Sequence, residues 1–133
     1  MLPFSVVAVL VAGVFSMVLG FIWYGPMLFA KSWMKEVGLS EKDMKGGPGI
    51  GYLVTFVAAL GQAAVTGVLV HLLNVTDIAQ GATVGLLVGV GYVATTFASN
   101  YIFAQKSGKL YFIDAGYQVL NVMAAAIIAT LIK

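Results

Sequence analysis

Residues 110–132 read LYFIDAGYQVLNVMAAAIIATLI, an apolar run of membrane-spanning length interrupted by a single acid. That acid is Asp114. Gln118 and Asn121 follow it at offsets of four and seven, which puts all three side chains on one face of a helix. Lipid penalises such a face, so the helix is expected to turn it toward protein or water.

Three further stretches match this one in length and apolarity: residues 2–24, 50–73 and 78–104. A membrane helix needs about 20 mostly apolar residues, and each stretch supplies them. The whole chain agrees, with 61% of its 133 residues hydrophobic and only 9% charged, at a mean hydropathy of +1.01. A soluble domain carries about 25% charged residues to cover its surface. The predicted fold is therefore all-α, a polytopic membrane protein with four transmembrane helices in one domain, residues 1–133.

The connections carry matching punctuation. Pro3, Pro26 and Pro48 stand at segment starts or between segments, where a missing N–H does little harm. Gly46-Gly47-Pro48-Gly49 breaks the chain before the second span, and Asp77 with Gln80 forms a capping-box pattern opening the third. The N-terminus lacks basic residues before its apolar run and lacks a small-residue cleavage site, so it reads as a retained first span.

Lysines set the orientation. Lys31, Lys35, Lys42 and Lys45 lie in the first connection and Lys106 and Lys109 in the third, against only Lys133 on the opposite side. This bias places connections one and three in the cytoplasm and both termini outside a plasma (inner) membrane. Trp23, Tyr24, Trp33, Tyr101 and Tyr111 fall at the same boundary, as an aromatic belt does. Within the first connection Phe29, Trp33 and Val37 recur every four residues while Lys31 and Lys35 share another face. That pattern predicts a short amphipathic helix in the interface between the first and second spans, ended by Gly38.

Small residues recur every fourth position in three spans: Ala8, Ala12, Ser16 and Gly20; Ala59, Ala63 and Gly67; Gly81, Gly85 and Gly89. Such stripes let helix backbones approach closely. Four helices enclose little interior, so some stripes are expected to face a second subunit, making the protein a homo-oligomer.

The short connection between the third and fourth spans makes them an antiparallel hairpin. Counting outward from Ser107 brings Asn100 level with Asp114 and Thr96 level with Gln118, two rungs of polar pairs. The second span adds Thr55, Gln62 and Thr66 on one face. Two readings follow. The polar residues line a path for a small solute or ion, or they act as a clasp of interhelical hydrogen bonds worth about 0.6 kcal/mol each. Asp114 is shallow, about 6 Å into its helix at 1.5 Å per residue. Lys106 and Lys109 are near enough in sequence to reach it by snorkelling. His71, the only histidine, stands at the far end of the second span near Asn74 and Asp77, where a hydrogen-bonded boundary role is expected.

Other chemistries are poorly served. The absence of cysteine rules out disulfides, thiolate metal sites and a Cys nucleophile. A scattered net charge of +2 does not suit nucleic acid. With no second histidine and no close pair of intramembrane carboxylates, the sequence predicts no enzyme, no metal site and no cofactor.

Two blocks are familiar together. Trp23-Tyr24-Gly25-Pro26 leads into Phe29, Lys31, Trp33-Met34 and Lys35, and Asn100-Tyr101-Ile102-Phe103 precedes Leu110 and Ile113-Asp114-Ala115-Gly116-Tyr117-Gln118. Over nearly its whole length the chain resembles the domain of unknown function 1761 family, small bacterial and fungal proteins with four membrane helices. The resemblance implies architecture and no particular activity. Many members of that family carry His where this chain has Gln118, and Arg where it has Lys106. The His departure argues against a proton relay through position 118. The expected function is permeation of a small solute or ion, with Asn100, Asp114, Gln118 and Asn121 on the path and Thr96 and Gln62 lining it. The alternative is a structural or accessory membrane subunit.

Overall fold

A backbone in lipid must bond to itself, and a helix does so within one segment. The computed structural model describes residues 2–44 and 49–133, and in it each of the four apolar runs is a helix. The first span is Val6–Trp23, the second Gly49–Leu72, the third Ile78–Phe103 and the fourth Gly108–Leu131, all long and apolar enough to cross a membrane. No strand occurs among the described residues. The chain is an all-α, multi-pass membrane protein. Lys45, Gly46, Gly47 and Pro48 of the first connection lie outside the described residues.

Side chains open the helices. Ser5 Oγ accepts from the N–H of Ala8 at 3.2 Å, and Ser107 Oγ accepts from that of Leu110 at 3.1 Å. Asp77 caps the third span by accepting from the N–H of Gln80 at 2.8 Å. The other half of the expected capping box is displaced, because Gln80 Oε1 accepts the N–H of Thr76, one residue before the cap, at 3.0 Å.

Three helices close in the same way. Gly38, Asn74 and Gln105 take φ of 80°, 53° and 58°. The next residue then donates its N–H five residues back: Leu39 to Met34 at 2.9 Å, Val75 to Val70 at 3.0 Å and Lys106 to Tyr101 at 2.9 Å. This is the Schellman ending, and only the first of the three has the expected glycine.

The short helix of the first connection is Ala30–Val37, stopped by Gly38 as its spacing predicts. Phe29, Trp33 and Val37 are half-buried and Lys31 and Lys35 are exposed. Its aromatic residues hold it to the end of the first span, with ring centroids 4.8 Å apart for Trp23 and Phe29 and 5.9 Å for Tyr24 and Trp33. A single helical turn, Glu41–Met44, follows.

The fourth span is the hub, in contact with each of the other three. The small-residue stripes explain how. Ala12, Ala63 and Ala125 meet in one layer from the first, second and fourth spans. Gly81, Gly85 and Gly89 lie against the fourth span so closely that a Cβ on Gly85 would stand 2.5 Å from the Cα of Met123. A Cβ on Gly89 would stand 3.1 Å from the Cα of Val119. The stripes are therefore consumed within one chain. The expectation that some of them face a second subunit is corrected, because the central fourth helix gives every stripe a partner. Large apolar side chains such as Leu10, Phe21, Val57, Leu87 and Phe112 point outward, as lipid-facing residues do.

The third span is not a regular helix. Between Gly89 and Ala94 it widens into a π-helical segment, which no proline announces. Beyond this segment the final stretch, Thr95–Phe103, contains no buried residue. One inserted residue rotates everything after it by about 100°, since a full turn takes 3.6 residues. The consequence falls on the polar face.

Candidate functional site

Asp114 is where that rotation shows. In a regular hairpin Asn100 would stand level with it. With the π segment in place its partner is the next residue, Tyr101, whose hydroxyl donates to Asp114 Oδ2. Tyr24, just past the first span, donates to Oδ1 at 2.6 Å. The acid thus bridges three segments of chain through two phenols. Asn100 is exposed, and Thr96 is also exposed with its hydroxyl bonded to the carbonyl of Tyr92 on its own helix at 2.7 Å. The two expected rungs, Asn100 with Asp114 and Thr96 with Gln118, do not form. Lys106 turns instead to the ring of Tyr101, its ammonium 5.9 Å from the centroid, and Lys109 is exposed.

Aromatic hydroxyls and an indole tie this end together. Trp23 donates its indole N–H to the carbonyl of Ile113 at 2.9 Å. Tyr111 donates to the carbonyl of Ala94, the last residue of the π segment, at 2.8 Å. Tyr117 is buried against the first span, donating to the Ser16 carbonyl at 2.9 Å with Ser16 Oγ at 3.0 Å. Gly20 makes room for that ring, as a Cβ there would lie 3.4 Å from the Tyr117 hydroxyl. Tyr24 packs edge-on against Tyr117, centroids 5.5 Å apart.

Deeper in the fourth span, polarity continues. Asn121 is buried and donates its amide to Gln62 Oε1 at 3.1 Å, so the second and fourth spans do share a polar contact. Thr66 bonds back to the Gln62 carbonyl at 2.7 Å, while Thr55 is exposed. Between Asp114 and Asn121 lies Gln118, whose Oε1 is buried and has no hydrogen-bond partner. An unpaired buried acceptor costs about 1–3 kcal/mol, so this atom calls for a donor. The line ends above Ala63 and Ala125, which floor a cleft of about 340 Å³ at the opposite end of the molecule. Phe4, Ala8, Gly67, His71 and Lys133 also line that cleft. His71 is exposed at its rim.

Among the described residues, no group of three or more His, Asp or Glu side chains is placed to hold a metal ion. The arrangement offers a carboxylate with spare lone pairs, an amide oxygen without a donor, and several aromatic faces. Such groups can hold a cation or a hydrogen-bond donor.

Sequence reasoning missed Tyr24 and Tyr101 as partners of Asp114 by assigning them to the membrane boundary alone. Two signals pointed to them. An acid at that level needs donors, and these were the hydroxyls at hand; Gly89-Val90-Gly91 marked a weak point in the third span. The comparisons with curated proteins and with solved structures found no match. The family comparison did: residues 7–130 match the sequence profile of the proteins of unknown function designated DUF1761, and the chain belongs to that family.

Proposed function

We propose that this protein passes a small solute or ion along the polar face of its second and fourth spans, and that it is not an enzyme. The observation that carries the reading is Gln118 Oε1, buried and unpartnered between Asp114 and Asn121. A purely structural clasp would be expected to satisfy its polar atoms; an acceptor left open suits a position visited by water or solute. Asp114 stands at one end of the line and the Gln62–Asn121 pair near its middle, with the cleft over Ala63 and Ala125 at the other end. The lysine bias supports placing the Asp114 end in the cytoplasm and both termini outside a plasma membrane.

Homo-oligomer formation belongs to the same proposal on a changed basis. Thr55, Thr96, Ser99 and Asn100 are exposed on the lysine-rich halves of the second and third spans. Polar side chains there favour cover by a second copy over contact with lipid.

A structural or accessory role is the second reading, favoured by the way Asp114 joins Tyr24 and Tyr101 across three segments. Flux into liposomes containing the purified protein separates the two. Transport predicts a flux above empty liposomes that Asp114→Asn or Gln118→Leu reduces at least tenfold. Unchanged flux in both variants, or none in the wild type across a panel of ions and small solutes, would leave the accessory role.

A further inference from the structure

We infer that the cleft at the termini end of the bundle binds one single-chain anionic amphiphile, of the fatty-acid class, taken from the surrounding lipid. The inference needs only the cleft and stands apart from the permeation reading. The cleft holds about 340 Å³ between the first, second and fourth spans. That is the small end of the range for ligand pockets, about 300–1,000 Å³, and suits one alkyl chain and not the pair of a diacyl lipid. Small residues make the space. Ala8, Ala63, Gly67 and Ala125 line it, and their short side chains leave the gap where the three spans meet. Ala63 at the floor lies a little over two turns before His71 at the rim, about 12 Å at 1.5 Å per residue. The cleft therefore runs lengthwise from the helix ends toward mid-membrane, the direction in which an amphiphile lies.

The chemistry of floor and rim differs. Lipid hydrocarbon is as apolar as the walls, so any chain suits the floor and the head decides the occupant. Among the described residues, no acidic side chain lines the cleft, and its ionisable side chains are His71 and Lys133. Lys133 donates its ammonium to the Val75 carbonyl at 2.6 Å, which holds it at the mouth and leaves two further N–H donors. His71, exposed at the rim, carries an N–H donor in either protonation state. A carboxylate head accepts from both, whereas a cationic head meets the ammonium as a like charge.

Photolabelling tests the site. The full chain in phosphatidylcholine nanodiscs is given hexadecanoate with a diazirine at mid-chain, irradiated at alkaline pH, and the labelled residues are mapped by peptide mass spectrometry. Label is expected on Ala63, Gly67 and Ala125, above the level at Leu10 and Leu131, which point outward from the first and fourth spans. Excess unlabelled hexadecanoate should lower it at least about tenfold, and hexadecyltrimethylammonium at the same mole fraction should not. Ala129→Phe puts a ring into the cleft and should abolish the cleft label. Lys133→Gln, at an exposed position, should raise the amphiphile needed for half-maximal labelling about threefold. Should Ala129→Phe fail to fold, Lys133→Gln and the competition carry the decision. Equal label on the outward residues, equal competition by the cationic amphiphile, or labelling unchanged by the substitutions would each overturn the inference. Equal competition by a diacyl phosphatidylglycerol would overturn the single chain. Cleft labelling without flux would keep the site and remove the permeation reading. Flux without cleft labelling would do the reverse.

Discussion

The two halves of the molecule are held together by different means. Toward the termini, backbones touch: Gly81 and Gly85 lie on the fourth span, and Ala12, Ala63 and Ala125 share one layer. Toward the lysine-rich end, long side chains with polar tips reach from one helix to another. Trp23, Tyr24, Tyr101, Tyr111 and Tyr117 each end in a hydrogen bond to another segment. The stretch Thr95–Phe103 buries no residue at all. In lipid, association rests on close packing and on interhelical hydrogen bonds, and this chain divides the two between its ends. The packed half is therefore expected to be rigid. The bridged half can open by breaking a few bonds, and that is the half in which Asp114 stands.

The largest expected effect breaks the packed half. Gly85→Leu would drive a side chain into the Met123 backbone, already 2.5 Å from where a Cβ would be. The expected loss is on the order of 3 kcal/mol or more, visible as unfolding at much lower denaturant in mixed micelles. Next is the bridged half. Asp114→Ala removes the acceptor of two phenols and should lower stability by about 2 kcal/mol. Amide exchange should rise in Thr95–Phe103 while Ile78–Val88 is unchanged; an even rise along the third span would dissolve the distinction between the halves. Tyr117→Phe removes the hydroxyl shared with Ser16 and should cost about 1 kcal/mol by the same titration.

The smallest effect has the opposite sign. Gln105 holds φ 58° at the end of the third span, a conformation costing a non-glycine residue about 1–2 kcal/mol. Gln105→Gly relieves this but adds freedom to the unfolded chain, about 0.5–1 kcal/mol, so a net gain of about 0.5 kcal/mol is expected. A loss of stability instead would mean that the Gln105 side chain contributes to this turn.

How much of this was legible in the sequence follows the same division. Span number, the interfacial helix with its Gly38 stop, and the Asp77 cap follow from run length, four-residue spacing and local capping chemistry, all of which act over a few neighbouring residues. The stripes of Ala and Gly were visible too, but their partner was not, because a stripe does not say which helix approaches it. The polar face was legible on the fourth span and misread on the third. Counting from Ser107 gives depth but not the face presented; the π segment at Gly89–Ala94 turns Thr95–Phe103 relative to Ile78–Val88, and Tyr101, not Asn100, bonds Asp114. Likewise Gln62 was placed on the right face, but its bond to Asn121 depended on a crossing no spacing could give.

On the permeation reading, water or solute reaches Gln118 between the packed half and the bridged half. Because the chain contains no cysteine, a single Gln118→Cys substitution reports on that position alone. Cells or vesicles are treated with a charged, membrane-impermeant thiosulfonate, with Leu120→Cys on the exposed, lipid-facing side of the same helix as the reference. A thiol at position 118 is expected to react, and one at position 120 is not. Equal inertness at both positions, with the thiols reactive once the protein is unfolded, would contradict it and leave the polar face a dry clasp.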